Sequence, residues 1–263
     1  MMSLTPVVKK ILIVMAVVFL VQSILIHKLG FQSLLHIFGF WPQNFMSGFV
    51  WQPLTYAFFH ADIAHLFFNG LGLFFFACNL EKVWGQKKFL YFFMITAVGA
   101  ALFHFLVFGI TSFLAPEYAA SISQYPTIGV SGVVYATLWA TYKILGNIQI
   151  YLFMAIPMKL KHMVIAYVVY DLYNAIFSPK SSMAHLFHLG GLVTGMLLLY
   201  FFGVKLEKMP SINFRCSRKL SREEVKQRLS VVVDNSKYSK KDNGDDDPND
   251  PNGGGGKYPK HWN

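Results

Sequence analysis

The sequence predicts an all-α membrane protein, a bundle of six transmembrane helices, and three observations predict it. The chain is 54% hydrophobic and 14% charged, with a mean hydropathy of +0.43, whereas an ordinary soluble domain carries about 25% charged residues. Its apolar residues gather into six stretches, near residues 11–27, 63–80, 89–111, 127–145, 163–178 and 184–204. Crossing the hydrocarbon layer takes about 20 such residues, fewer in short spans. Lysine and arginine, finally, fall almost wholly on one side of the bilayer that these stretches define.

The first stretch follows Lys9 and Lys10 and could be taken for a secretory signal. No small-x-small cleavage site follows it; Gln22 and Ser23 lead into further aliphatic residues up to His27 and Lys28, so a permanent helix is expected. The fifth stretch is the shortest and contains Asp171 and Asn174. An apolar piece before it, Ile148 to Ile156, is cut off by Pro157 and Lys159 and is expected at the membrane interface.

An even number of spans puts both termini on one side. That side would hold Lys9, Lys10, Lys82, Lys87, Lys88, Lys143, Lys159 and Lys161, then Lys205, Lys208, Arg215, Arg218 and Lys219. The opposite side holds only Lys28 and Lys180, so both termini are assigned to the cytoplasm. Much of the net charge of +10 is then topology and contact with anionic lipid, and no nucleic-acid partner is expected. With no targeting peptide recognised, the orientation favours a bacterial inner membrane.

The predicted organisation is a cytoplasmic N-terminus over 1–10, a membrane domain over 11–204 and a cytoplasmic tail over 205–263. The tail turns polar from Ser211 and ends in Asp245 to Asp247, Pro248, Pro251 and Gly253 to Gly256, a composition that cannot bury a core and reads as disordered. Ser221 with Glu224 fits a capping box for a short helix near 221–233. Cys78 and Cys216 both fall on the cytoplasmic side, where thiols stay reduced and no disulfide is expected.

With this topology the second, fourth and sixth spans run inward from the outside. His65, Ser131 and His188 each lie a few residues after the start of one of them, roughly 5 to 10 Å below the outer surface at about 1.5 Å per residue. Any one of these polar residues alone reads more plainly as hydrogen-bonding glue between helices. Together they hold the parts of a serine nucleophile, a base and an anion site. Gly129 and Gly132 leave the backbone open around Ser131, and the first turn of a helix offers unpaired N–H groups and a positive dipole end to an oxyanion. His65 and Asn69, four residues apart, share a helix face. Gly191 and Gly195 form a small-xxx-small stripe that lets another helix approach closely, which would bring His188 toward Ser131.

Taken together, Gly129-Val130-Ser131-Gly132 with Tyr135, His65-x-x-x-Asn69 and His188-x-x-Gly191-x-x-x-Gly195 resemble the rhomboid family of intramembrane serine proteases, over roughly residues 50–204. Trp51-Gln52 resembles the family's Trp-Arg element, with glutamine in place of the arginine that stabilises a loop, and Glu81 to Gly85 resembles its Glu-x-x-x-Gly. The resemblance implies a Ser-His dyad, with Ser131 as nucleophile and His188 as general base. It implies an oxyanion site of His65, Asn69 and the Ser131 backbone N–H, and Tyr135 stacked on His188. It further implies transmembrane protein substrates cut in or beside their membrane segments, no cofactor or metal, and a first external loop, Gly30 to Asp62, lying partly in the membrane. The aromatic richness of that loop fits an interface on its own terms. The oligomeric state is left open.

Asp171 is the one carboxylate at membrane depth that could orient a histidine. The resemblance assigns it no catalytic role, and a structural hydrogen bond is the expected one. Three rivals stay open. A zinc hydrolase would use His60, His65, His185 and His188 with Asp62 nearby, although no His-Glu-x-x-His run is present. A non-catalytic rhomboid-like protein would bind membrane helices without cutting them. A transporter would find an ion path in Asp171 and Asn174. A soluble α/β-hydrolase is excluded by the spans and by Val133, which stands where a Gly-x-Ser-x-Gly elbow needs glycine.

Overall fold

The computed structural model describes residues 3–201 except 32, 122, 124, 147, 153–155 and 178–181. The whole tail over 205–263 lies outside these residues, and with it Cys216 and the Ser221 capping box. Among the described residues there are six long helices: α1 (Pro6–His27), α2 (Ile63–Trp84), α3 (Gln86–Leu114), α4 (Ser131–Leu145), α5 (Leu160–Phe177) and α6 (Ser182–Phe201).

Among the described residues, four helices are long and apolar enough to cross a membrane: α1, α2, α3 and, over Ala184–Phe201, α6. The surface is inverted relative to a soluble protein. Leu20, Phe113, Val169 and Tyr200 are exposed while Gln22, His60, Thr96, His104 and Asp171 are buried, which is the arrangement that hydrocarbon solvent selects. Helix α4 is shorter at 15 residues, about 22 Å of helix. It sits among its neighbours, with Gly132, Val133, Ala136, Thr137 and Ala140 all buried.

Two departures from the sequence expectation have local causes. The fourth helix starts at Ser131 rather than near 127, because Gly129 has φ +110° and Thr127 is paired with Phe40 in an isolated antiparallel bridge. Ser131 is therefore the first residue of the helix and not a turn inside it. The chain is also not wholly α. The piece read as interfacial forms strand β1 (Gln149–Leu152), antiparallel to β2 (Ile156–Lys159), with Gln149 opposite Lys159. Gly146 at φ +72° ends α4, and Pro157 cannot sit in a continuing helix, whereas β-branched Ile148 and Ile150 suit an extended strand.

Helix α2 is not uniform. A π turn over Leu73–Ala77 widens it, and the Thr141 hydroxyl of α4 donates to the Phe76 carbonyl at 3.2 Å. At its far end Glu81 is buried and receives the N-terminus of α1. Its carboxylate accepts from the backbone N–H of Val7 at 2.9 Å and of Val8 at 3.0 Å, and from the Thr5 hydroxyl at 2.5 Å. A carboxylate on the free N–H groups of another helix is a charge-assisted cap.

The loop between α1 and α2 folds into short helical turns, Leu34–Phe38, Pro42–Met46, Gln52–Thr55 and the 3₁₀ turn Tyr56–Phe58. Gln52 is fully buried and ties them together. Its Oε1 accepts from Trp41 N–H at 3.1 Å and its Nε2 donates to the carbonyls of His36 at 2.7 Å and Ile37 at 3.3 Å. The uncharged side chain thus holds the loop through backbone groups. Substituting glutamine for arginine does not leave that position empty.

Candidate functional site

Three helix ends build the site. Ser131 opens α4, whose first intrahelical bond runs from Val133 N–H to Val130 C=O at 2.9 Å, so the N–H groups of Ser131 and Gly132 precede the hydrogen-bonded ladder. Two contacts fix the approach to Ser131. The Thr127–Phe40 bridge has N···O distances of 2.8 and 2.9 Å, and Gly129 N–H donates to the Tyr56 carbonyl at 2.9 Å. The Tyr56 hydroxyl in turn donates to the Ala97 carbonyl of α3 at 3.0 Å. The loop after α1, the segment before α4 and helix α3 are therefore one connected support.

Helices α4 and α6 cross where side chains are absent. A Cβ on Gly191 would lie 2.7 Å from the Gly132 Cα and closer still to its carbonyl group, and one on Gly195 would lie 2.8 Å from the Ala136 Cβ. The small-residue stripe predicted on α6 thus meets Gly132 and Ala136 of α4. This approach brings His188 Nε2 to 2.8 Å from the Ser131 hydroxyl oxygen. Tyr135, one turn after Ser131, lies flat on the imidazole, with ring centroids 4.4 Å apart and planes 16° apart. Ring stacking of this kind removes the imidazole's freedom to rotate.

On the other side stand His65 and Asn69. The Asp62 carboxylate caps α2 by accepting from His65 N–H at 2.7 Å, and Ala61 N–H donates to His65 Nδ1 at 3.3 Å. With Nδ1 an acceptor, the neutral ring carries its proton on Nε2, an assignment made from the hydrogen bonds. A Cβ on Gly129 would lie 2.6 Å from that Nε2 and 3.5 Å from Asn69 Nδ2, so both donors face the Gly129 backbone. Asn69 Nδ2 is buried and, among the described residues, has no acceptor. Positive φ and this crowding both require glycine at Gly129.

The structure also connects residues that the sequence reading kept apart. Asp171 of α5 is fully buried, and its Oδ1 lies 3.2 Å from His188 Nδ1 and 2.5 Å from His185 Nδ1. Asp171 stands six residues before the end of α5 and His188 six after the start of α6. Each is thus about 9 Å along its helix from the helix end that faces the other in sequence. Equal depth on antiparallel neighbours is what lets them meet. The signal in the sequence was His185, three residues before His188 and on its face. The four histidines of the zinc rival do not form one cluster: among the described residues the metal-competent group is Asp171, His185 and His188. His60 is instead packed 5.0 Å from His65, ring to ring. Its burial, with His65 beside it, pushes its pKa down to about 4, so this ring is neutral. Cys78 is a buried free thiol of α2.

Chemically, the arrangement presents a hydroxyl in contact with an imidazole, the backbone N–H groups that open α4 and, facing them from α2, the Asn69 amide, which has no acceptor among the described residues. Comparison with known proteins agrees in extent with this core. The rhomboid domain matches residues 47–205. Rhomboid-like protein 12, mitochondrial, of Arabidopsis thaliana is 27% identical over 153 residues, 57% of this chain and 45% of that protein. A Bacillus subtilis protein named as a rhomboid protease, YdcA, is 28% identical over 169 residues, 62% of this chain and 72% of that protein. The chain thus aligns with less than half the length of the Arabidopsis relative.

Proposed function

This chain belongs to the rhomboid family, and on that premise we propose that it is an intramembrane serine endopeptidase hydrolysing peptide bonds in or near transmembrane segments of other membrane proteins. The observation that carries the reading is the 2.8 Å contact between Ser131 Oγ and His188 Nε2 at the open start of α4. The Ser131 proton passes to His188 Nε2 as Oγ attacks the scissile carbonyl carbon. The oxyanion that forms is held by the Ser131 N–H, His65 Nε2–H and Asn69 Nδ2. His188 then gives its proton to the leaving amine, and water, activated by the same ring, releases the acyl group. Tyr135 keeps the ring in line, while Gly129, Gly132, Gly191 and Gly195 permit the close backbone approach.

The chain crosses the bilayer six times in this reading, α4 and α5 being the two spans shielded or made polar by the site. Residues 1–10 and 205–263 are cytoplasmic, and the site opens to the external side of a bacterial inner membrane, following the lysine and arginine asymmetry. Apolar Met46, Val50 and Trp51, exposed on the first loop, support its partial immersion in lipid. Keeping both Ser131 and His188 favours a protease over a helix-binding relative that does not cut.

The test is cleavage of a membrane-anchored reporter by the full chain in proteoliposomes. Ser131→Ala and His188→Ala each abolish it while leaving the fold intact. Full cleavage by either variant refutes the dyad.

A further inference from the structure

We infer that Asp171 is a positioning residue for His188, so that the site works as a Ser131–His188–Asp171 relay rather than a bare dyad. The inference rests on the protease reading above. His188 has two ring nitrogens and the structure gives each one partner, Nε2 the Ser131 hydroxyl at 2.8 Å and Nδ1 the Asp171 carboxylate at 3.2 Å. A carboxylate only accepts, so Nδ1 carries the proton and Nε2 keeps the lone pair that a base needs. Without an acceptor at Nδ1 nothing selects this tautomer. The Tyr135 stack holds the ring plane but is indifferent to which nitrogen is protonated.

A carboxylate in a membrane helix is costly and requires several partners. Asp171 has two, both on Oδ1: His185 Nδ1 at 2.5 Å shares that oxygen with His188 Nδ1, while the buried Oδ2 has no hydrogen-bond partner among the described residues. His185 anchors the carboxylate to α6 one turn before His188, so that Asp171 is held in place whether or not the His188 bond tightens. In the reaction the Ser131 proton moves to Nε2 as the Oγ–C bond forms. The imidazolium keeps its Nδ1 proton facing Asp171, which stays ionised, and the Nε2 proton then leaves with the amine. No electron donor or acceptor is needed.

The decisive variant is Asp171→Asn, which retains size but removes the charge; because one oxygen faces both imidazoles, its amide offers His185 and His188 the same atom, either a neutral carbonyl that holds the Nδ1 proton more weakly or an N–H that favours the wrong tautomer. The full chain in proteoliposomes is assayed with a membrane-embedded reporter and with a fluorophosphonate that phosphonylates serine, fluoride leaving. The expected result is kcat lowered on the order of 10² to 10⁴, KM within about twofold, an unchanged melting temperature and an equal slowing of fluorophosphonate labelling. A kcat and labelling rate within threefold of the unmodified chain overturn the inference, as does a rise in KM alone. A second measurement needs no variant: ¹⁵N NMR of histidine-labelled protein shows His188 protonated at Nδ1, and protonation at Nε2 in the resting state overturns the assignment. Inhibition by a chelator, reversed by zinc, would assign Asp171, His185 and His188 to a metal and also overturn it. Ser131→Ala run in parallel separates the two failures. If that variant still cleaves, the Ser131–His188 dyad falls and the relay with it; if it is inactive while Asp171→Asn is fully active, only the relay falls.

Discussion

Gly191→Ala is the substitution that most directly probes how the site is assembled. The added methyl would lie 2.7 Å from the Gly132 Cα, where carbon atoms normally rest about 3.5–4.0 Å apart. The α4 and α6 backbones must therefore separate by about 1 Å at that level. No flexible side chain is there to give way, because both partners are glycine. Ser131 precedes Gly132 and His188 lies one turn before Gly191, so the same separation opens the 2.8 Å Ser131–His188 contact to nearly 4 Å, beyond hydrogen-bond range. Misplacement by an ångström costs about 10²-fold in rate, and overpacking costs about 1–3 kcal/mol in stability. The assay pairs reporter cleavage in proteoliposomes with thermal unfolding of the purified protein. Gly109→Ala serves as the control, since a Cβ there meets nothing within 4 Å and should leave both readouts near those of the unmodified chain. Full activity with an unchanged melting temperature in Gly191→Ala would refute the argument that glycine contact sets the distance between base and nucleophile.

Two further substitutions follow from the same geometry. Asn69→Ala removes one donor from the proposed oxyanion site and should slow cleavage about 10²-fold with little change in KM, His65 and the Ser131 N–H remaining; an unchanged kcat would remove Asn69 from the site. Glu81→Gln takes the charge from the three-bond cap on α1 and should lower stability by about 1.5–3 kcal/mol, read as a lower melting temperature with serine labelling at room temperature retained. A melting temperature equal to that of the unmodified chain would show that the cap contributes nothing.

Much of the architecture was legible because hydrocarbon solvent imposes a simple rule, that long apolar runs become helices. Over the described residues each of the six apolar stretches overlaps a long helix, residues 178 and 202–204 lying outside them. The later start of α4 came from Gly129, whose positive φ and place against His65 depend on a partner distant in sequence. The β1–β2 hairpin was not foreseen because interfacial location and strand pairing leave the same apolar signature. At the site, residue type and shared helix direction pointed to Ser131, His188, His65 and Asn69. The glycine spacing on α6 suggested a close approach to the fourth helix, and α4 is the helix it meets. What no spacing rule reveals is which polar groups meet across helices. The contacts of Asp171 with His188 and His185 depend on matched depths along α5 and α6. The contacts of Gln52 with backbone groups and of Glu81 with α1 depend on loop and helix packing. Such polar contacts are chosen by tertiary structure from many alternatives the sequence leaves equivalent.

The central claim is that Ser131 is a nucleophile activated by His188. Its most direct measurement is mass spectrometry of the full chain after fluorophosphonate treatment, alongside His188→Ala. The account predicts one covalent adduct, on Ser131, formed in the unmodified chain and lost in the variant. Reporter cleavage with no adduct on Ser131, or an adduct that forms equally fast without His188, would contradict it.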